Sequence, residues 1–303
     1  MVSDFEENIY IMKIKLCIFL LFAVACNSNA PRENVSQEGS FDYLGQAFPG
    51  DSAIVFAPGI ICDTATRESA LAISPNGDEL FFVKGIWPET KIMHMDKTGN
   101  KWSSPDTAYF CEDSWGTEPA FSPDGRFLYY SSSKGKPDIS FYSLWRVELT
   151  DAGWSEPENI FDIGGDTVWE FHPTISDDGM LYFCYWDVAK RSGDIYMSDC
   201  KGSKCSDPVR MNFPVNSDSS DADPYIRTDG SYMIFATNRP GGLGGHDQYI
   251  TYKNTDGTWA ELKNLGDRFN TPGDDYDMDI TPDGKYILLY LNNDIYWMRN
   301  TGL

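Results

Sequence analysis

At 303 residues the chain is long enough for one large domain or two ordinary ones, and a 41% hydrophobic content supplies a real core. Its 46 acidic against 24 basic side chains leave a formal charge of -22, which excludes nucleic acid and anionic lipid headgroups as partners held by charge. Aromatic residues, at 15%, favour strands over helices.

In chain order, the first element stands apart from the fold. "MKIKLCIFLLFAVAC" (12–26) has two lysines, an apolar run too short to span a bilayer comfortably, then small residues and Cys26, the pattern of a secretory signal peptide. Its end, Ala23-Val24-Ala25-Cys26, resembles a bacterial lipobox, with Ala23 where Leu is usual. That resemblance implies lipidation of Cys26, which becomes the mature N-terminus. The acidic "MVSDFEENIYI" ahead of it is unlike the start of a signal, so translation is expected to begin at Met12. Residues 27–45, largely polar and without periodicity, read as a flexible tether, and 46–303 as the folded domain.

The domain is written in copies. "LAISPNGDELFFVK", "EPAFSPDGRFLYYSS", "PTISDDGMLYFCY", "PYIRTDGSYMIFAT" and "DITPDGKYILLY" each place an apolar strand, a tight turn and a second strand, and their turn glycines are Gly77, Gly125, Gly179, Gly230 and Gly284. The separations, 48, 54, 51 and 54 residues, define a period near 50. In Ser-Pro-Asp-Gly, proline presets the first central φ, aspartate tolerates the second and glycine follows. A third strand comes next ("IMHM", "LWRVEL", "DIYMS", "DQYITY", "DIYWM"), then a fourth opening on tryptophan ("KWSSP", "GWSEP", "TWAEL" at 258–262), with "CSDPVRM" in unit three. Four antiparallel strands in each of five repeats predict an all-β fold, a five-bladed β-propeller. Unit five lacks a fourth strand, whereas "SAIVFAPGII" (52–61) is unassigned. Pairing these two would close the ring and remove two sheet edges.

These repeats resemble the TolB-type, WD-like propeller repeats of bacterial envelope lipoproteins. The likeness rests on Ser122-Pro123-Asp124-Gly125, Thr281-Pro282-Asp283-Gly284, Asp194-Ile195-Tyr196 and Asp294-Ile295-Tyr296, and covers roughly residues 52–300. "NRPGGLGGHDQY" (238–249) is similar to a version found in outer-membrane-associated lipoproteins. Unit one departs from the pattern, with Asn76 in place of Asp and no D-I-Y. The resemblance implies a fold and an envelope setting, and leaves the task open because this propeller hosts many.

Seven cysteines fit export. Cys200 and Cys205 flank a hairpin-like loop and are placed to form a local disulfide, while no second Cys or His pair stands at zinc-ligand spacing.

Nine residues before each turn glycine stand Glu68, Gly116, Glu170, Asp221 and Asp275; seven before stand Ala70, Glu118, His172, Asp223 and Asp277. Strand alternation puts both sets on one face, so seven carboxylates and His172 are expected to circle the mouth opposite the Ser-Pro-Asp-Gly turns. Their repulsion raises some pKa values or calls in a cation, calcium being the natural choice for oxygen ligands. Trp115, Trp169, Trp186 and Arg239 are expected at the same mouth, a mixture suited to a carbohydrate or a peptide. The bland alternative is that acids at strand starts accept backbone N–H groups of adjoining turns.

Two kinds of function follow. One is an exported binding or scaffolding lipoprotein that holds an envelope protein, peptide or glycan, anchored to the membrane through lipid alone. The other is a glycan-active enzyme drawing an acid and a base or nucleophile from Glu118, Glu170 and Asp221. Nothing supports nucleophilic hydrolysis: there is no G-x-S-x-G elbow, and His94, His172 and His246 lie in different units with no evident partners.

Overall fold

Each repeated turn closes as its residues dictate. In the second copy Gly125 N–H donates to the Ser122 carbonyl at 2.8 Å, Ser122 Oγ donates to Asp124 Oδ1 at 2.6 Å, and Gly125 takes the left-handed φ of +71°. The structure, a computed structural model, describes residues 41–303 except Thr64, Asp162, Gly202 and Ser203; the signal, the Met12 start, Cys26 and tether residues 27–40 lie outside the described residues.

The strands assemble into five antiparallel sheets, the blades of a propeller. Blade I comprises Glu68–Ile73, Glu79–Ile86, Glu89–Thr98 and Lys101–Trp102, with Asp106–Thr107 also pairing its third strand. Blade II comprises Gly116–Phe121, Phe127–Ser132, Ser143–Thr150 and Gly153–Trp154, with Glu158–Phe161 added in the same way. Blade III runs Val168–Ile175, Met180–Asp187, Ser192–Asp199 and Val209–Arg210, and blade IV runs Asp221–Ile226, Tyr232–Thr237, Asp247–Tyr252 and Lys263–Asn264. In blade IV the outer strand falls just beyond the expected 258–262, where Trp259 makes only an isolated bridge to Lys253.

Blade V has three strands of its own, Met278–Ile280, Tyr286–Leu291 and Asp294–Arg299, and takes its fourth, Ile54–Val55, from the start of the domain. Ile54 pairs with Trp297 and Val55 with Tyr296, antiparallel, so the two ends of the domain close the ring. The segment read as tether reaches less far than expected. Residues 41–45 pack on this closing blade, where Tyr43 is buried, because the aromatic rings of the seal need covering.

Second strands are apolar on both faces because both faces are covered. In blade I, Leu80 and Phe82 pack toward Ile295 and Trp297 of blade V, while the intervening Phe81 and Val83 pack toward Leu128 and Tyr130 of blade II. The other three interfaces repeat the arrangement, as with Tyr129 and Phe183 between blades II and III. Trp154 completes one such layer against Phe81 and Phe121. Cys200 and Cys205 form a disulfide, and Cys62, Cys111 and Cys184 are buried thiols. Among the described residues no helix is long and apolar enough to cross a membrane.

Candidate functional site

The inner strands do not keep the simple alternation assumed above. In blades I to IV the pairing slips by one residue in the middle of the inner strand, between Ser69 and Ala72, Thr117 and Ala120, Phe171 and Thr174, and Ala222 and Tyr225. Each slip is a β-bulge centred on the residue seven before the turn glycine. Ala70, Glu118, His172, Asp223 and Asp277 all adopt left-handed backbone, with φ of 45°, 51°, 52°, 51° and 54°. None is glycine, so each position carries a conformational cost that the surrounding sheet must hold in place.

The bulge separates the two sets of acids. The set nine before glycine turns back to cap the segment leading into its own strand. Glu170 Oε1 accepts from Ile163 N–H at 2.5 Å and Gly164 N–H at 3.3 Å; Asp275 accepts from Thr271 N–H at 2.6 Å. Asp221 accepts from Ser217 N–H at 2.7 Å and pairs with Arg239 Nη2 at 2.9 Å; Glu68 accepts from Asp63 N–H at 3.4 Å and from the Thr66 hydroxyl. Gly116 fills this place in blade II, where a Cβ would stand 2.5 Å from Cys111 Sγ. Glu68, Glu170, Asp221 and Asp275 therefore cap the segments that lead into their own strands, and Arg239 is held against one of them. Glu170 and Asp221, two of the three carboxylates the glycan-active reading draws on, are committed in this way.

The set seven before glycine converges. His172 Nδ1 stands 3.1 Å from Asp277 Oδ1, and the His172 backbone N–H donates to Glu118 Oε2 at 2.6 Å. Candidate donor atoms of Glu118, His172 and Asp277 lie within 4.8 Å of one another. Asp223, 5% exposed, has an Oδ1 with no hydrogen-bond partner among the described residues. A cavity of about 200 Å³ runs inward from the Ser-Pro-Asp-Gly end, past Pro123, Pro282 and Asp279, as deep as Ala70, Glu118 and His172. The cluster is thus reached from the end opposite to the expected mouth. Asp279, five before Gly284, also lines the cavity and was not among the expected residues.

Burial, reinforced by Asp277 and Asp223 and opposed by the His172 charge, pushes Glu118 up to about 8. Burial and the neighbouring Asp277 push Asp223 up to about 7, and burial likewise raises Asp279. Burial works against a charged His172, yet Asp277, Asp223 and Glu118 together hold its imidazole well above the ordinary value. Folding therefore takes up protons here, and all four shifts have the same consequence. The stability that Glu118 and Asp223 supply is fully present below their unfolded values of 4.5 and 3.8 and is lost as pH rises through about 7 to 8, and that of His172 is fully present below 6.5 and lost at higher pH. With EDTA present, the melting temperature is expected to fall steadily from about pH 5 to about pH 9. A Glu118→Gln, Asp223→Asn variant flattens that profile; a flat wild-type profile would sink the assignment.

At the other end, where blade-linking loops meet the loops between second and third strands, aromatic rings form a row. Trp87 meets Trp169 at 5.0 Å between centroids, Trp169 stacks on Trp186 at 6.3 Å, Trp186 meets His246 at 6.4 Å and His246 meets Tyr276 at 4.7 Å. Trp87 is 48% exposed. Trp115 is outside the row; Lys91 lies over its ring at 4.4 Å, anchored to the carbonyls of Cys111, Glu112 and Ser114. Two histidines gain partners the sequence did not disclose: His172 has Asp277, and His246 has Asp274 at 3.0 Å and the Tyr276 hydroxyl at 2.6 Å.

No protein-family model matches the chain, and no curated protein matches it by sequence. Solved structures share its fold. TolB from Acinetobacter baumannii superposes with a TM-score of 0.50 at 15% identity, over 80% of this chain and 56% of that one. A structure described as a glycoside hydrolase gives 0.54 at 11% identity, over 86% of this chain and 94% of that one. The chain spans little more than half the length of the TolB it resembles, and its fold is a TolB-like β-propeller.

Proposed function

We propose that the protein is an exported, lipid-anchored binding module of the bacterial envelope that holds a glycan chain by stacking on the aromatic row. The fold itself does not choose, since TolB and a glycoside hydrolase both share it. The row carries the reading: Trp87, Trp169, Trp186 and Tyr276, backed by the buried His246, bring aromatic rings from blades I, III, IV and V together at one end. Flat apolar faces beside the acidic Asp274 suit a sugar, whose ring stacks while its hydroxyls donate to the carboxylate. The apparent lipobox ending at Cys26 supports the anchor, and the charge of -22 keeps the disc away from anionic surfaces.

The test is a titration of the purified full chain with envelope and dietary oligosaccharides, read by tryptophan fluorescence. Saturable quenching is expected with at least one of them. Trp87→Ala or Trp169→Ala weakens it about tenfold, as losing one to two kcal/mol of stacking demands. Quenching by peptides alone would replace the glycan with a peptide ligand, and slow cleavage of a bound glycan would restore the enzymatic alternative. No response to either class would sink the reading.

A further inference from the structure

We propose that Glu118, His172, Asp223 and Asp277 form a binding site for a single divalent cation of the first transition row, of the manganese or zinc kind, at the inner end of the axial cavity. The site is independent of the aromatic row.

Its construction is the first argument. Four of five blades deliver one metal-ligating side chain each, from equivalent positions and with the same left-handed backbone, while the fifth delivers Ala70. Donor atoms of Glu118, His172 and Asp277 already lie within 4.8 Å of one another. An ion with bonds of about 2.0–2.2 Å spans about 4 Å between opposite ligands, close to the spacing these three already have.

The second argument comes from what the protein alone leaves undone. Asp223 is 5% exposed and its Oδ1 has no hydrogen-bond partner among the described residues, a condition folded proteins seldom leave standing. It occupies the place in blade IV that Glu118, His172 and Asp277 occupy in theirs, and Glu118 and His172 feel its charge, so this carboxylate belongs to the same cluster. His172 Nδ1 stands 3.1 Å from Asp277 Oδ1, a separation that two ligands of one ion can keep. One buried and two half-buried carboxylates around a single imidazole repel one another, and a dication answers that repulsion.

The donor set selects the metal. Calcium takes oxygen ligands throughout, whereas an imidazole nitrogen among carboxylates suits manganese, iron or zinc. Ala70 leaves one side without a ligand, and the cavity of about 200 Å³ reaches it, Glu118 and His172 from the turn end. That side gives the ion its route in and leaves room for water or a small oxygen ligand.

The experiment uses the full chain, stripped with EDTA and titrated at about pH 8 with manganese chloride, zinc chloride or calcium chloride alone. Binding is followed by manganese electron paramagnetic resonance, by metal content after desalting, and by melting temperature. One manganese or zinc ion per chain is expected, with a rise in melting temperature of about 5–10 °C at a hundredfold excess over Kd. Glu118→Gln and Asp223→Asn each remove a repelling charge without changing shape, so the stripped variants melt no lower than wild type while the metal-induced rise is lost. No stoichiometric ion, or binding unchanged in both variants, would overturn the site. Calcium displacing manganese at equal concentration would overturn the choice of metal.

Discussion

Asp221→Ala is expected to lower the melting temperature by about 10 °C, whereas Asp223→Asn, two residues along the same strand, leaves it unchanged or raises it in EDTA at about pH 8. Asp221 is fully buried and accepts from Ser217 N–H at 2.7 Å, from Ser217 Oγ at 3.0 Å and from Arg239 Nη2 at 2.9 Å. Removing the carboxylate strands a guanidinium that is itself only 14% exposed. Breaking one partner of a buried pair costs about 3–5 kcal/mol, and each kcal/mol is about 2–4 °C in a domain of this size. Asp223, by contrast, supplies charge that nothing in the described residues neutralises by a hydrogen bond at Oδ1. Neutralising it relieves repulsion from Asp277 and Glu118. Thermal melts of both variants decide the matter. If Asp221→Ala melts within about 2 °C of wild type, the division of the acids into caps and channel groups is wrong.

That division shows where sequence reasoning stopped. The fold was legible because a period near 50 residues is set by turn chemistry, and turn chemistry is local: proline, aspartate and glycine at fixed offsets need no knowledge of the neighbours. Ring closure was legible too, since a missing strand at one end and a spare one at the other leave a single economical pairing. The site was legible only in its residue types. Regular alternation puts positions nine and seven on one face, but a left-handed residue intervenes in every blade. Left-handed backbone is usually announced by glycine or asparagine. Here it falls on alanine, glutamate, histidine and aspartate, where the tertiary fold imposes it and no local signal marks it. Pro119, Pro173 and Pro224 directly follow three of these residues, and a proline bars helical backbone for the residue before it, so an irregularity was inferable but not its hand. The partners of His172 and His246 were hidden for a plainer reason. Asp277 and Tyr276 are contributed from other blades, and their approach depends on the radius of the ring.

Trp297→Ala is expected to be at least as damaging as the loss of Asp221, because the seal of the ring is a matter of packing. The closing strand, Ile54–Val55, is two residues long and contributes little ladder of its own. What holds it is the fully buried Trp297, ringed by Tyr286 at 4.8 Å, Phe56 at 5.1 Å, Tyr43 at 5.2 Å and Phe48 at 6.3 Å. Truncating such a side chain costs about 3–5 kcal/mol, again about 10 °C. The consequence differs in kind from that of a surface defect. Once the closing strand loosens, the edge of Asp294–Arg299 is bared, and an unpaired edge seeks another chain. Trp297→Ala is therefore expected to show concentration-dependent association by sedimentation as well as an early melt. Phe56→Ala should reproduce both effects, and because the two rings touch, the double variant should lose less than the sum of the single losses. A Trp297→Ala protein that stays monomeric and melts near wild type would mean that the two-residue ladder alone closes the ring.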